Sequence, residues 1–153
     1  MSQFRTALMS EPETTALPFK RLFSKLHDYY VLTKPEVNLL ILMTTSAGYY
    51  LGLRGPFQVS GFINTLIGTL LVASGTATLN QWMEKQWDGQ MRRTSRRPIP
   101  DGRVSSSEAF IFGVLLSVIG GIFLITLVNR MSAVLAVSTL LSYLLIYTPL
   151  KRK

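Results

Sequence analysis

The fold is decided by residues 57–83, FQVSGFINTLIGTLLVASGTATLNQWM, in which 27 consecutive positions carry no charged side chain. An α-helix rises about 1.5 Å per residue, so about 20 apolar residues cross the roughly 30 Å hydrocarbon core of a bilayer. Three further uncharged runs cover residues 37–53, 109–129 and 131–150. Four such runs in a chain of 153 residues predict an all-α membrane protein with four transmembrane helices.

The composition agrees with a membrane protein. Charged residues make up 16% of the chain, against about 25% in an average soluble domain. Because the chain contains no cysteine, disulfide frameworks and thiolate metal sites are excluded. Residues 1–18 lack an apolar stretch long enough for a cleavable signal peptide.

The net charge of +8 is distributed unevenly about the predicted helices. If the helices alternate in direction, the N-terminal tail, the central loop and the C-terminal end share one side of the membrane. These three segments hold every basic residue except Arg54 and Arg130. The positive-inside rule then places both termini and the central loop on the cytoplasmic side of a multi-pass protein. A nucleic-acid module would need a soluble fold for which this chain has no room, so the predicted partner is the lipid bilayer and no nucleic acid.

Helical periodicity and turn residues give the boundaries. Residues 1–17 are expected to be disordered, and residues 18–153 to form one membrane domain. An amphipathic helix at about 18–33 suits the membrane interface, because its apolar side chains recur at helical spacing. The predicted membrane helices cover about 36–54, 57–83, 107–129 and 131–149, with a charged motif loop over 84–106.

Residues 80–98, NQWMEKQWDGQMRRTSRRP, place acidic and then basic side chains at the end of the second membrane helix. Asn80, Glu84 and Asp88 lie four residues apart, so they drift only about 80° around a helix while climbing about 12 Å. Two carboxylates and an amide on one helical face suit Mg²⁺, which binds one or two carboxylates and completes its shell with water and phosphate.

Four arginines, at positions 92, 93, 96 and 97, follow these acids, and Pro98 and Pro100 exclude a continuing helix. A loop of this kind is expected to fold back over the carboxylates and to bind phosphate oxygens through its guanidinium groups. An acidic helix end beside a basic loop suits a lipid whose head is a diphosphate. Two simpler interpretations stay open: the arginines fix topology or bind anionic lipid, and Glu84 pairs with Lys85 or with an arginine.

The pattern Asn80-x-x-x-Glu84-x-x-x-Asp88 resembles the first aspartate-rich motif of the intramembrane aromatic prenyltransferase superfamily. Glutamate at the middle position and the continuation Asp-x-x-Met-x-Arg-Thr-x-x-Arg-Pro over 88–98 are similar to the protoheme IX farnesyltransferases. The resemblance covers about residues 28–153 and includes LTKPEV at 32–37, AGYYLG at 47–52 and YTPLKR at 147–152.

The resemblance implies a reaction and a role for each matching residue. Farnesyl diphosphate would transfer its farnesyl group to a vinyl group of heme b as diphosphate leaves, and water would capture the resulting cation to give heme o, with Mg²⁺ as cofactor. The implied catalytic residues and metal ligands are Asn80, Glu84 and Asp88. The implied diphosphate-binding residues are Arg93, Thr94, Arg97, Tyr147 and Lys151. Lys34 is a weaker candidate, because a role in anchoring the first membrane helix explains it equally well.

The resemblance also implies a larger protein. Family members are roughly twice this long, form a bundle of nine membrane helices, and carry a second acidic motif in their later half. We therefore expect an N-terminal fragment that is inactive alone, in the bacterial or mitochondrial inner membrane. Its expected protein partners are the missing C-terminal half or heme and cytochrome oxidase assembly proteins. The alternatives are a prenyltransferase acting on a quinone precursor and a non-catalytic membrane protein that binds lipid diphosphates.

Overall fold

The structure is a computed structural model that describes residues 18–151, nearly all of them in helices or in short connections between helices. The predicted disordered tail over 1–17 lies outside the described residues. In chain order the helices are α1 (Pro18–Leu32), α2 (Pro35–Leu51), α3 (Val59–Asp88), α4 (Ser106–Leu127) and α5 (Arg130–Ser142), followed by a π-helical turn (Tyr143–Tyr147) and α6 (Thr148–Leu150).

Helix α1 is amphipathic, as its periodicity predicts. Phe19, Phe23 and Tyr30 are exposed, whereas Asp28 and Leu32 are buried against the rest of the protein. The carbonyl oxygen of Leu32 ends the helix and accepts hydrogen bonds from two side chains of α3, Thr78 Oγ1 at 3.4 Å and Gln81 Nε2 at 2.8 Å. This polar junction fixes α1 to α3, while the location of α1 at a membrane surface stays a prediction.

Among the described residues, three helices are long and apolar enough to cross a membrane: α3, α4 and the continuous stretch Arg130–Leu150. The chain is therefore a membrane protein by helix length and composition. Helix α2 was expected over 36–54 but has only 17 residues, about 25 Å of helix, because it ends at Leu51 before a turn that contains Gly55 and Pro56. A fourth membrane span and a nine-helix bundle stay predictions.

Helix α3 continues further than its uncharged run. Its 30 residues extend about 45 Å, about 15 Å more than a bilayer core, so its last turns project beyond the core. The motif loop predicted over 84–106 is shorter in the structure: residues 84–88 belong to α3, and the loop covers residues 89–105. Glu84, Lys85 and Gln86 favour helix, and the helix ends only where Gly89 follows Asp88.

Side-chain caps explain where α4 and α5 begin. Ser105 and Glu108 form a reciprocal capping box at the start of α4, in which each side chain accepts a hydrogen bond from the other's backbone N–H. Asn129 Oδ1 accepts from the Ser132 backbone N–H at 2.7 Å and caps α5. Only residues 128 and 129 separate the two helices, so the connection between them is tight.

Small residues allow α3 and α4 to pack closely along their length. A Cβ atom built on Gly75 of α3 would lie 2.7 Å from the Gly113 carbonyl oxygen of α4. A Cβ atom on Gly120 of α4 would lie 2.8 Å from the Val72 backbone nitrogen of α3. Helices α3, α4 and α5 and the π-helical turn also share one apolar core, which consists of Val72, Leu79, Leu124, Ala133, Leu140 and Leu144. The glycines therefore set the distance between the two helices.

Gly75→Ala is expected to destabilise the helix bundle, because the added methyl group meets backbone atoms that cannot move independently. Overpacking of this kind typically costs about 1–3 kcal/mol. Gly48→Ala on α2 is the matched control, since a Cβ atom there meets nothing within 4 Å. Thermal unfolding in detergent should give a lower Tm for Gly75→Ala and an unchanged or higher Tm for Gly48→Ala. Equal Tm values for the two variants would contradict the close packing of α3 on α4.

The last membrane helix widens near its end. Within Tyr143–Tyr147 the hydrogen bonding is π-helical, and the hydroxyl of Thr148 donates to the Tyr143 carbonyl at 2.9 Å. Pro149 has no N–H to offer the preceding turn, which accounts for a local departure from α-helical bonding. The widened turn brings Thr148 and Lys151 to the charged end of α3.

Candidate functional site

The predicted acidic face exists on α3. Asn80, Glu84 and Asp88 are all buried, and the Asn80 amide nitrogen donates to Glu84 Oε2 at 3.2 Å. Buried carboxylates are costly unless paired, so the charges that neutralise them define the site. Those charges come from the loop after α3 and from the end of α6.

The loop folds back over the carboxylates, as the two prolines suggested. Arg97 Nη1 lies 2.5 Å from Asp88 Oδ2 and 4.0 Å from Glu84 Oε2, so one guanidinium group faces both acids. Thr94 is buried, and its hydroxyl donates to the Asp88 backbone carbonyl at 3.0 Å. Thr94 thus fastens the loop to the end of α3.

The end of the last helix supplies the other side of the site. Lys151 Nζ lies 3.4 Å from Glu84 Oε1, across 67 residues of sequence. Thr148 is fully buried, and its single hydroxyl hydrogen is shared between Asn80 Oδ1 at 3.0 Å and the Tyr143 carbonyl oxygen. Together these contacts fix Asn80 with its amide nitrogen toward Glu84 and its oxygen toward Thr148.

Lys34 lies near this cluster, between α1 and α2. Burial lowers the pKa of its amine, Arg97 and Lys151 lower the pKa further, and Glu84 and Asp88 oppose these effects. Its φ of 51° places it in the left-handed region, which costs about 1–2 kcal/mol for a non-glycine residue. The residue before Pro35 therefore adopts a strained conformation at the edge of the charged cluster.

Two predicted residues do not join the carboxylates. Arg93 is exposed and, within residues 18–151, forms no ion pair with Glu84 or Asp88. Tyr147 is half exposed, and its ring stacks on Tyr143 with centroids 4.9 Å apart. Tyr143 and Thr148 were not singled out from the sequence. The one signal for Thr148 was its place inside the YTPLKR segment, one position after Tyr147.

Of the two simple pairings considered for Glu84, the structure shows the one with a loop arginine and not the one with Lys85. Lys85, its neighbour in sequence, instead donates to Ser106 Oγ at 2.6 Å and lies over the Trp82 ring at 5.4 Å. Glu84 faces the loop arginine and Lys151. The carboxylate is therefore part of a convergent cluster and not of a local surface pair on α3.

The residues present fit a divalent cation of the kind that keeps waters and phosphate ligands. No group of three or more His, Asp and Glu side chains able to hold a metal occurs in residues 18–151, which disfavours a closed, all-protein metal cage. Mg²⁺ needs no such cage, because it typically uses one or two carboxylates. Glu84 Oε2 and Asp88 Oδ2 face the same guanidinium nitrogen, so both can turn toward one cation.

An apolar cavity of about 360 Å³ opens beside the cluster, between α2, α3 and α5. Lys34 and Tyr143 both line the cavity, and Lys34 also interacts electrostatically with Glu84 and Asp88. The remaining walls are mostly aliphatic side chains and threonines, among them Val37, Ile41, Val72, Ala73, Ala136 and Leu140. The protein thus joins a charged cluster to an apolar space within one site.

Comparison with known proteins gives the family. The model of the UbiA prenyltransferase family matches residues 41–153, about three-quarters of the chain and all of α3 with its loop. The chain belongs to the UbiA prenyltransferase family. The acidic face of α3 and the loop after it lie within the matched region, whereas α1 and Lys34 precede that region.

Several curated relatives are named protoheme IX farnesyltransferase. The protein from Solibacter usitatus is 45% identical over 137 residues, which covers 84% of this chain and 47% of that protein. The protein from Aquifex aeolicus is 44% identical over 127 residues, with 82% and 44% covered. The protein from Opitutus terrae is 43% identical over 130 residues, with 84% and 43% covered. The chain thus spans less than half the length of these relatives, and no solved structure matches it significantly.

Proposed function

We propose that this chain forms part of a protoheme IX farnesyltransferase, which transfers a farnesyl group from farnesyl diphosphate to a vinyl group of heme b with the help of Mg²⁺. The observation that carries the proposal is the convergence of Arg97 and Lys151 on Glu84 and Asp88. Lys34 interacts electrostatically with this cluster and also lines an apolar cavity. The names of the relatives support the substrates heme and prenyl diphosphate.

Each residue of the cluster has a role in releasing diphosphate from an allylic carbon. Glu84 and Asp88 are the carboxylate ligands for Mg²⁺, with Asn80 beside them. Bound Mg²⁺ supplies a Lewis acid that neutralises the charge growing on the leaving group. Arg97 and Lys151 turn from the carboxylates to phosphate oxygens, so charge-assisted hydrogen bonds to the head group replace the ion pairs present without ligand.

The remaining predicted residues have supporting roles in this proposal. Arg93 lies on the exposed side of the loop and reaches the outer phosphate when the head group is bound. Thr94 keeps the loop attached to α3, and Tyr147 orients the head group from the last helix. The farnesyl tail lies in the cavity of about 360 Å³, which is apolar and adjoins Lys34.

The proposed location is the inner membrane of a bacterium or of a mitochondrion, with the loop after α3 on the cytoplasmic or equivalent face. The contact between Lys151 and Glu84 supports a shared side, because it joins the end of the last helix to the end of α3. The basic residues of both segments then lie on that side, as the positive-inside rule requires. The rest of the bundle and heme or cytochrome oxidase assembly proteins are the proposed protein partners.

The proposed function is tested with a chimera in which this chain replaces the matching segment of the Solibacter usitatus protoheme IX farnesyltransferase. Membranes containing the chimera, Mg²⁺, heme b and farnesyl diphosphate are expected to form heme o, detected by mass spectrometry. A well-inserted chimera that prenylates a quinone precursor and not heme b would contradict the assigned acceptor. Binding of farnesyl diphosphate without transfer to either acceptor would identify a non-catalytic binding protein.

The lowered pKa of Lys34 predicts how diphosphate binding depends on pH. The amine attracts the head group only when protonated, so its contribution is present below its pKa in the folded protein and is lost as pH rises through that value. Because burial and Arg97 lower that pKa, the loss occurs at a lower pH than for an exposed lysine. Lys34→Met should weaken farnesyl diphosphate binding at neutral pH and flatten the alkaline decline. An unchanged pH profile would exclude Lys34 from the site.

A further inference from the structure

A second ion-pair cluster, centred on Arg103, lies outside the carboxylate site. Arg103 pairs with Asp28 of α1 through Nη1, and its Nε lies 2.8 Å from Asp101 Oδ2. The two acids differ in burial, because the Asp28 side chain is 3% exposed and the Asp101 side chain is 49% exposed. Pairing of the buried acid has the larger energetic effect, since a buried carboxylate without a partner is costly.

The third donor of Arg103 reaches the backbone of the loop. Its Nη2 donates to the Arg96 carbonyl oxygen at 2.8 Å. That carbonyl belongs to the same planar peptide group as the Arg97 N–H, which donates to the Thr94 carbonyl at 3.0 Å. Both ends of the peptide that leads into Arg97 are therefore held, one by Arg103 and one by the loop itself.

Apolar contacts hold the same loop against α1. Ile99 and Val104 of the loop pack in one buried cluster with Leu32 of α1 and Ala109 of α4. This cluster adjoins the junction where Thr78 and Gln81 bind the Leu32 carbonyl. Helix α1, the loop and α3 thus form one packed unit, with Asp28 as its buried charge.

We infer that Asp28, acting through Arg103, is a positioning residue that fixes Arg97 for diphosphate binding. Asp28 orients the guanidinium group of Arg103, Arg103 holds the Arg96 carbonyl, and the fixed peptide aims Arg97 at Asp88. Helix α1 is then a support for the diphosphate loop as well as an amphipathic helix. Asp28 precedes the region matched by the family model, and the inference rests on the proposed function for its ligand.

The first test measures order in the loop of the full chain in lipid nanodiscs by hydrogen–deuterium exchange. Asp28→Asn should raise amide exchange over residues 94–104 by about tenfold or more, as expected when a charge-assisted hydrogen bond is lost. Asp101→Asn, which removes the exposed partner of the same arginine, is the matched control and should change exchange less than twofold. Unchanged exchange in Asp28→Asn would overturn the inference.

A second variant protects the test against misfolding of Asp28→Asn. Arg103→Lys keeps a cation for Asp28 but lacks the planar fork that serves three partners at once. Loop exchange should again rise by about tenfold, whereas exchange in α1 should stay as in the unmodified chain, because the buried charge keeps its partner. If the Arg103→Lys variant and the unmodified chain show equal amide exchange in the loop, the inference is also overturned.

The second test separates positioning of Arg97 from a general structural role. Binding of farnesyl diphosphate with Mg²⁺ to the chimera with the Solibacter usitatus enzyme is compared for Asp28→Asn, Arg97→Ala and the double variant. Asp28→Asn should weaken binding about tenfold when Arg97 is present and less than twofold when Arg97 is absent, because residues that act through one another are not additive. If Asp28→Asn weakens farnesyl diphosphate binding by the same factor with and without Arg97, the inference is overturned. Absence of binding by the unmodified chimera would count against the proposed function, and loop exchange would still decide the role of Asp28.

Discussion

Asp88→Asn is expected to abolish heme o formation in the chimera with the Solibacter usitatus enzyme, while leaving membrane insertion intact. The substitution keeps the shape of the side chain and removes the negative charge that Mg²⁺ requires. Loss of a single preorganised electrostatic group typically costs about 10²–10³-fold in rate, and loss of a metal ligand is expected to cost at least as much. Heme o is measured in membranes at saturating Mg²⁺, and insertion is measured by protease protection.

Asp101→Asn provides the matched control for this substitution. Asp101 lies in the same loop, is about half exposed and pairs with Arg103 and not with the candidate site. The control is expected to retain the activity of the unmodified chimera. An active Asp88→Asn variant at saturating Mg²⁺ would exclude Asp88 as a metal ligand. Activity lost equally in both variants would indicate a loop defect and contradict a specific role for Asp88.

Arg97→Ala is expected to have the second largest effect, on both binding and stability. It leaves the buried Asp88 carboxylate without its closest cation, and breaking a buried pair in this way typically costs about 3–5 kcal/mol. It also removes the guanidinium group proposed to bind the head group. Farnesyl diphosphate affinity should fall at least about thirtyfold, since truncating one partner of a buried charge pair typically costs about 2–5 kcal/mol.

Two controls isolate the guanidinium group. Arg97→Lys should recover most of the stability and only part of the affinity, because an ammonium group supplies charge without the planar fork. Arg92→Ala removes an exposed arginine of the same loop and should leave both quantities within about twofold, as is typical of surface substitutions. Equal effects of Arg92→Ala and Arg97→Ala on affinity would show that the loop attracts diphosphate through its overall charge alone.

The local part of the site was predictable from the sequence because it follows from helical geometry. Asn80, Glu84 and Asp88 lie on one face of α3 for the same reason that any residues four apart do, and the structure shows all three buried together. The membrane character followed from the uncharged runs.

The non-local part of the site was not predictable in detail. Four arginines occur within six residues, and which of them faces Asp88 depends on turns in the loop that have no simple periodicity. The contact of Thr148 with Asn80 spans 68 residues and depends on a π-helical turn before Pro149. Tertiary packing decides both features. The end of α2 differs from its predicted bound by only three residues, because Gly55 and Pro56 mark the turn but not the last residue of the helix.

In the proposed mechanism, Glu84 and Asp88 hold the diphosphate head group through Mg²⁺. The most direct measurement is the affinity of the chimera, in lipid nanodiscs, for a non-hydrolysable farnesyl diphosphate analogue with Mg²⁺ and with EDTA. Saturable binding is predicted with Mg²⁺ and should be lost in EDTA and in the Asp88→Asn variant. Binding of equal affinity in EDTA, or in the Asp88→Asn variant with Mg²⁺, would contradict the account.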